Sequence, residues 1–284
     1  MIQESVDFHV NTGPCFMPRV SNALDMAREA ARAGVRGWVL LAHHESTVGR
    51  AAVVEAALPG FRCAGGVVLN DYVGGLNPAA VRGAFLSGGR IMWFPTLHVE
   101  NHCNVAGKGR AGVGPGDPAS GTGIRILGAD GDLLKEAKEC IDVAQRHNGI
   151  ARSGHVSIEE IEVLVDFCVG IDVPVVINHP YFIVLGPESF FASMARKGAW
   201  IEVCGAITMP VYPAATLDQL VSLVSACGPE RCLLASDSGS VQLPIPHETV
   251  RSIGFNFVKC DLSEAAVKMM TTTNPSRLLG WSSL

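Results

Sequence analysis

The sequence predicts a single (β/α)8 barrel, and three observations carry that prediction. Strand and helix signals alternate from one end of the chain to the other, with no internal repeat and no interdomain linker. Ligand-type polar residues close several of the apolar runs: Asp7-Phe8-His9-Val10-Asn11, Gly154-His155, Asn178-His179-Pro180 and Ser236-Asp237. The length of 284 residues suits one α/β barrel, which typically takes about 250. Residues 1–284 are therefore read as one domain.

The elements follow in order. Residues 5–10 form the first strand, and 22–33 an Ala-rich amphipathic helix stopped by Gly34. Residues 35–42 are the second strand and 48–57 its helix. The third strand spans 61–69 and leads to a helix at 77–87, where Asn77-Pro78 is a start signal. Residues 91–97 are the fourth strand, and 133–147 a long helix. The fifth strand (150–153) precedes a helix at 159–169, and the sixth (173–177) one at 188–197. The seventh (199–204) precedes 217–226, and the eighth (231–235) is followed by helices around 247–255 and 263–271. Eight units in unbroken alternation favour a closed barrel over an open doubly wound sheet.

One segment breaks the rhythm. Residues 99–123 contain seven glycines with Pro115 and Pro118 and almost no apolar periodicity. A connection this long in a compact domain is usually a functional lid or disordered, and here a lid on the active-site face is expected. Gly107-Lys108-Gly109 lacks the order of a phosphate-binding loop. Residues 124–133, centred on Gly128-Ala129-Asp130-Gly131, read as a small hairpin, so the lid and hairpin insertion runs over 99–133.

A hydrophobic fraction of 48% with 17% charge implies a large core of the kind helices make over a parallel sheet. A net charge of -5 gives no reason to expect nucleic acid or an anionic membrane as partner. No apolar stretch approaches the roughly 20 residues that span a bilayer, and Met1-Ile2-Gln3-Glu4-Ser5 has no secretory order. The expectation is a cytoplasmic homo-oligomer acting on a small molecule. Nine scattered cysteines without a C-x-x-C pair read as reduced, packed thiols. Cys15 and Cys103 are exceptions, in loops beside histidine-bearing strand ends.

In a barrel of this type the C-terminal strand ends carry the active site. His9, His155 and His179 repeat one placement there, and Asp237 would be a costly buried carboxylate unless paired or metal-bound. Histidines with one aspartate make the donor set of a zinc-type divalent site. His43 and His44 end the second strand, where adjacent residues face opposite ways, so at most one points into the mouth. His98 and His102 flank the start of the lid as substrate contacts, while His147 reads as a helix C-terminal cation and His247 as a surface residue.

The order Asp7-x-His9, a histidine after strand five, another after strand six and Ser236-Asp237 on strand eight resembles the amidohydrolase superfamily of metal-dependent hydrolases. Asn274-Pro275-Ser276-Arg277-Leu278-Leu279-Gly280 is similar to the N-P-A-R-L-L-G ending common there. Gly13-Pro14 with Pro18-Arg19, His43-His44, Gly65-Gly66-Val67-Val68-Leu69-Asn70, Gly74-Gly75-Leu76-Asn77-Pro78 and His179-Pro180 resemble a bacterial branch of uncharacterised amidohydrolase-like proteins. The resemblance covers Val6 to Gly280. It implies one divalent metal, zinc foremost with manganese or iron as alternatives, on His9, His155, His179 and Asp237. Asp237 would act as base, with His155 or His179 polarising a carbonyl. Arg19, His44 and Asn70, with His98 and His102, would contact substrate. The implied reaction is hydrolysis of an amide, cyclic amide or lactone; the alternatives are decarboxylation or hydration of a small aromatic acid, or a barrel without metal or catalysis.

Two departures limit the resemblance. The superfamily's H-x-H on strand one is His9-Val10-Asn11 here, and Asn is a poor zinc ligand. Leu41 stands where that branch often carries a lysine, and no lysine lies near the end of strand four. A binuclear site is not expected.

Overall fold

Side chains ahead of the helices write their starting points. Asn22 Oδ1 accepts from Asp25 N at 3.0 Å to open α1 (Ala23–Arg32), and Asn77 does the same for α3 (Pro78–Leu86). Ser157 with Glu160 forms a capping box on α6 (Ile158–Gly170), as Thr216 with Gln219 does on α8 (Leu217–Cys227). Each such cap satisfies an otherwise orphaned backbone donor and contributes about 1 kcal/mol. The remaining main helices are α2 (Val48–Ala57), α4 (Glu100–Ala106), α5 (Lys135–Arg146), α7 (Glu188–Lys197) and α9 (Pro246–Lys259), and α10 (Glu264–Lys268) and α11 (Asn274–Leu279) close the chain. The computed structural model describes residues 2–106 and 123–281.

All named strand pairs are parallel. One sheet runs β1 (Val6–Asn11), β2 (Gly37–Leu41), β3 (Arg62–Ala64). The other runs β4 (Gly66–Val68), β5 (Ile91–Trp93), β6 (Ile150–Arg152), β7 (Val175–Ile177), β8 (Trp200–Cys204), β9 (Cys232–Ala235). The expected third strand is thus two strands meeting at Gly65. There the chain passes so close to α2 that a Cβ would lie 2.7 Å from Val48 Cα. Hydrogen bonds join the far edges as well: Asn11 N donates to Ser238 O at 2.9 Å, and Asp237 N to His9 O at 3.0 Å. Almost every strand residue is buried, and the helices cover the apolar faces, as a parallel sheet requires.

The ending Asn274–Gly280 has a structural task. Asn274 Nδ2 donates to Pro229 O and Cys232 O, each at 2.8 Å, pinning α11 to the start of β9. Trp281 then packs with Leu279 against Phe8, Leu233 and Trp93.

The expected lid begins differently from the sequence reading, because residues 100–106 form α4 and carry His102 into the fold. Residues 107–122, most of the expected lid, lie outside the described residues. The expected hairpin is a tight one: Leu127 and Leu133 form an antiparallel bridge, and Gly128 N donates to Asp132 O at 2.8 Å. No helix among the described residues is long and apolar enough to cross a membrane.

Candidate metal and active site

Three strands deliver the centre of the site. His9 lies within β1, while His179 and Asp237 each follow a strand by two residues. His9 Nε2 stands 3.2 Å from Asp237 Oδ1, and His179 Nδ1 3.8 Å from Asp237 Oδ2. His179 and Asp237 both have φ of 50°, a conformation uncommon for residues with a Cβ. Such backbone is held only where its surroundings over-determine it, as at functional sites. Gly154, at φ 60°, turns the chain after β6 so that His155 enters the mouth; a Cβ there would meet Phe94 O at 2.2 Å.

Beneath these residues lies a fully buried ion pair that sequence reading missed. Arg152 in β6 pairs with Glu202 in β8, and Arg152 Nη1 also donates to Phe8 O at 2.7 Å. Both oxygens of Glu202 lie 3.2 Å from His9 Nδ1, and Asn178 Nδ2 donates to Oε1 at 3.0 Å. A signal was present: Ile150-Ala151-Arg152 and Trp200-Ile201-Glu202-Val203 each place one charge inside an apolar run. A charge there must find an opposite charge or a metal. Cys204, also missed, lies at the end of β8 with Sγ 3.8 Å from Asp237 Oδ2.

The remaining histidines form a neighbouring group. His155 Nδ1 faces His102 Nδ1 at 2.8 Å with the rings stacked, and the His155 ring lies 5.0 Å from that of His179. Of the four expected ligands, His9 and His179 each lie beside Asp237, and His155 sits next to His179 with one nitrogen committed to His102. His43 rather than His44 lines the cavity; it bonds Thr96 Oγ1 at 2.9 Å, while His44 sits against the edge of Phe16. Asn70 was expected to bind substrate, but its amide is spent on His43 O, Thr96 Oγ1 and the backbone N–H groups of Thr96 and His98. His98 likewise accepts from Asp71 N at 3.0 Å and does not line the cavity. Arg19 and His102 do line it.

Burial dominates the electrostatics. It holds the His9 imidazole down to about 4, against the pull of Asp237, and lowers His102 to about 4. His43, His155 and His179 are pushed well below the usual histidine range by burial and by one another. All five therefore stand as neutral imidazoles, the form that ligates metal. Burial also raises the Asp7 carboxyl to about 7, although Ser236 and the His9 backbone hydrogen-bond to it.

The donor set fits a zinc-type ion. His9, His179 and Glu202 bring ligand atoms within 4.8 Å of one another, as do His179, Cys204 and Asp237. Tetrahedral bonds of about 2.0–2.2 Å put donor atoms roughly 3.3–3.6 Å apart, and His9 and Asp237 are at 3.2 Å. His179 Nδ1 is buried with no hydrogen-bond partner, an expensive state for a ring nitrogen unless something binds it. Glu202 on the far nitrogen of His9 is placed as an outer carboxylate that fixes a ligating imidazole. Asn11, in place of the second histidine of the superfamily pattern, donates from Nδ2 to Asp237 Oδ1 at 2.9 Å and so orients the carboxylate.

The site floors a cleft that opens to solvent. Its walls include Leu41, Trp93, Leu97, Phe182 and Tyr212.

Comparison with known folds places this arrangement. An amidohydrolase from Burkholderia multivorans with bound zinc is similar at TM-score 0.60 and 14% identity, over 97% of this chain and 99% of that one. The probable 2-pyrone-4,6-dicarboxylic acid hydrolase of Acinetobacter baumannii is similar at 0.61 and 13%, over 98% and 100%. 2,6-Dihydroxybenzoate decarboxylase from Rhizobium is similar at 0.57 and 12%, over 98% and 99%. At these identities the likeness establishes a shared α/β fold with parallel sheets. No curated protein matches the sequence. The family model that matches spans residues 4–202, well over half the chain, and by that match the protein belongs to the family of unknown function DUF6282.

Proposed function

We propose that the two sheets form one closed (β/α)8 barrel and that the protein is a metal-dependent hydrolase. It would cleave an amide, cyclic amide or lactone of a small molecule at the cleft above Asp237. The observation that carries the reading is His179 Nδ1, buried and unpartnered, 3.8 Å from both Asp237 Oδ2 and Glu202 Oε1. His9, His179 and Asp237 would hold the ion, with Cys204 within reach. A divalent ion bound there supplies an activated water and a polarised carbonyl.

The chain's own residues do the rest. Asp237 accepts the water proton and returns it to the leaving group, and Asn11 keeps the carboxylate turned for this. Glu202, its charge offset by Arg152, holds the His9 ring in one orientation. His155, neutral and fixed by His102, lines the cavity as a hydrogen-bonding partner for the substrate carbonyl.

A second reading, decarboxylation of a small aromatic acid, is favoured by the Phe182 and Tyr212 rings, 5.8 Å apart at the cleft. One experiment separates the two. Purified protein is assayed for metal by elemental analysis and incubated with lactones, cyclic amides and hydroxybenzoates. Hydrolysis products support the first reading, carbon dioxide release the second. Turnover of nothing on the panel by protein with less than roughly a tenth of an equivalent of metal refutes both.

A further inference from the structure

Among the described residues, Arg19 is a cation on the cavity wall without an anion of its own. It lines the cleft with Asn11, Asp237 and Tyr212. Its Nη2 reaches only the Met17 sulfur, at 3.6 Å, and its buried Nε has no partner. No carboxylate among the described residues stands within ion-pairing distance of it. Yet the backbone that presents it is held firmly. Arg19 and Ser240 form an antiparallel bridge, and Val20 N donates to Gly239 O at 2.9 Å. Gly239, at φ 119°, lies so close to β1 that a Cβ would be 1.8 Å from Asn11 O. From the other side Arg50 Nη1 donates to Thr12 O at 3.1 Å. The segment bearing Arg19 is thus strapped to the segment bearing Asp237.

The charge balance of the cleft selects the ligand. Glu202 is paired with Arg152 beneath the site. Asp237 is committed to the reaction centre. Arg19 is left as an uncompensated positive charge, the only Lys or Arg among the cavity-lining residues described. A guanidinium is permanently charged, and its planar fork matches the two oxygens of a carboxylate. One such group, without a second cation or a ring of backbone donors, suits a monoanion better than a phosphate dianion. Leu97, Phe182 and Leu243 offer an apolar surface for the rest of the molecule.

We infer that the substrate carries a carboxylate, and that Arg19 binds it so as to set the reacting bond over Asp237. This rests on the cleft being the active site proposed above.

The test is a binding measurement, separate from turnover. Wild type, Arg19→Gln and Arg19→Lys, each with its metal content measured, are titrated calorimetrically with benzoate, benzamide, glutarate, glutaramide and phenyl phosphate. Wild type should prefer each carboxylate to its amide by about tenfold or more, the scale of a charge-assisted bidentate contact. Arg19→Gln should bring that preference to within about twofold without changing metal content or amide affinity, and Arg19→Lys should keep part of it. A preference that survives Arg19→Gln overturns the inference. So does absence of any preference in wild type, or tighter binding of phenyl phosphate. Wild type that holds no metal and turns nothing over, yet shows the carboxylate preference and loses it in Arg19→Gln, would count against the hydrolase reading and leave Arg19's role standing.

Discussion

Glu202 sits directly behind His9, with both carboxylate oxygens 3.2 Å from Nδ1 of the imidazole. The opposite nitrogen of the same ring is 3.2 Å from Asp237. One imidazole therefore links a buried carboxylate on β8 to the carboxylate that faces the cleft. A proton on Nδ1, donated to Glu202, leaves the Nε2 lone pair free for a metal, so Glu202 chooses the tautomer that can ligate.

Two substitutions separate the roles of Glu202. Glu202→Gln keeps the shape and one acceptor oxygen; the expected result is folded protein with metal affinity reduced about 10–100-fold, the usual cost of losing an outer partner. Glu202→Ala strands the Arg152 charge in the interior and should destabilise the fold by roughly 3–5 kcal/mol. Chemical denaturation and metal titration of both variants check this. Equal metal affinity in wild type and Glu202→Gln would remove Glu202 from the site's function.

Asp237 can be probed without disturbing its backbone. At φ 50° it occupies a region that Asn adopts as readily as Asp and Ala does not. Asp237→Asn should fold normally, retain part of its metal and lose activity by about 10²-fold or more, the scale of a general acid–base group. Near-normal turnover would exclude Asp237 as the base. His179 shares the φ of 50°, so His179→Asn tests ligation more cleanly than Ala; it should abolish metal binding while the thermal midpoint of metal-stripped protein stays near wild type.

How legible this site was depends on where each residue sits. His9, His155, His179 and Asp237 close apolar runs, and a polar residue at the end of such a run is visible in a single sequence. Glu202 and Arg152 lie within β8 and β6 and meet across 50 positions, so the lone charge in each apolar run is visible in the sequence but their pairing is not. The same limit hid Asn70. The family resemblance implied substrate contact, but the neighbouring Thr96 and His43 take up its hydrogen bonds. The break at Gly65 was hidden for another reason: apolar periodicity runs on through 61–69 and carries no sign of the close approach to α2. For His43 and His44 the alternation of a strand limited the cavity to one of them, and it is His43 that lines it.

Gly239 should tolerate no side chain. A Cβ would fall 1.8 Å from Asn11 O, and φ of 119° disfavours any residue but glycine. Gly239→Ala has to push the strap away from β1, moving Arg19 and Asp237 together. The expected outcome is a loss of roughly 1–3 kcal/mol, typical of a strained backbone site, with weakened metal binding measured on the fraction that folds. Unchanged stability and metal affinity would show that the strap does not position the site.

Acid should unfold the metal-free protein early. His9 and His102 are lowered to about 4 from 6.5, and His43, His155 and His179 also lie well below 6.5. Between those folded values and 6.5 the unfolded chain binds more protons than the folded one, so stability rises with pH through that window and is lost as pH falls through it. Asp7 works in the opposite sense. Raised to about 7 from 3.8, it takes up a proton in the folded state, and its contribution is lost as pH rises across that range. Five imidazoles outweigh one carboxyl, so the net slope is positive. The thermal midpoint of chelator-treated protein should fall progressively as pH drops from 6.5 toward 4, and His102→Gln should flatten the fall. Bound metal should steepen it, because protons then compete with the ion for His9 and His179. A midpoint independent of pH across this window would mean that the histidine cluster is not buried in neutral form, and the site built on it would have to be redrawn.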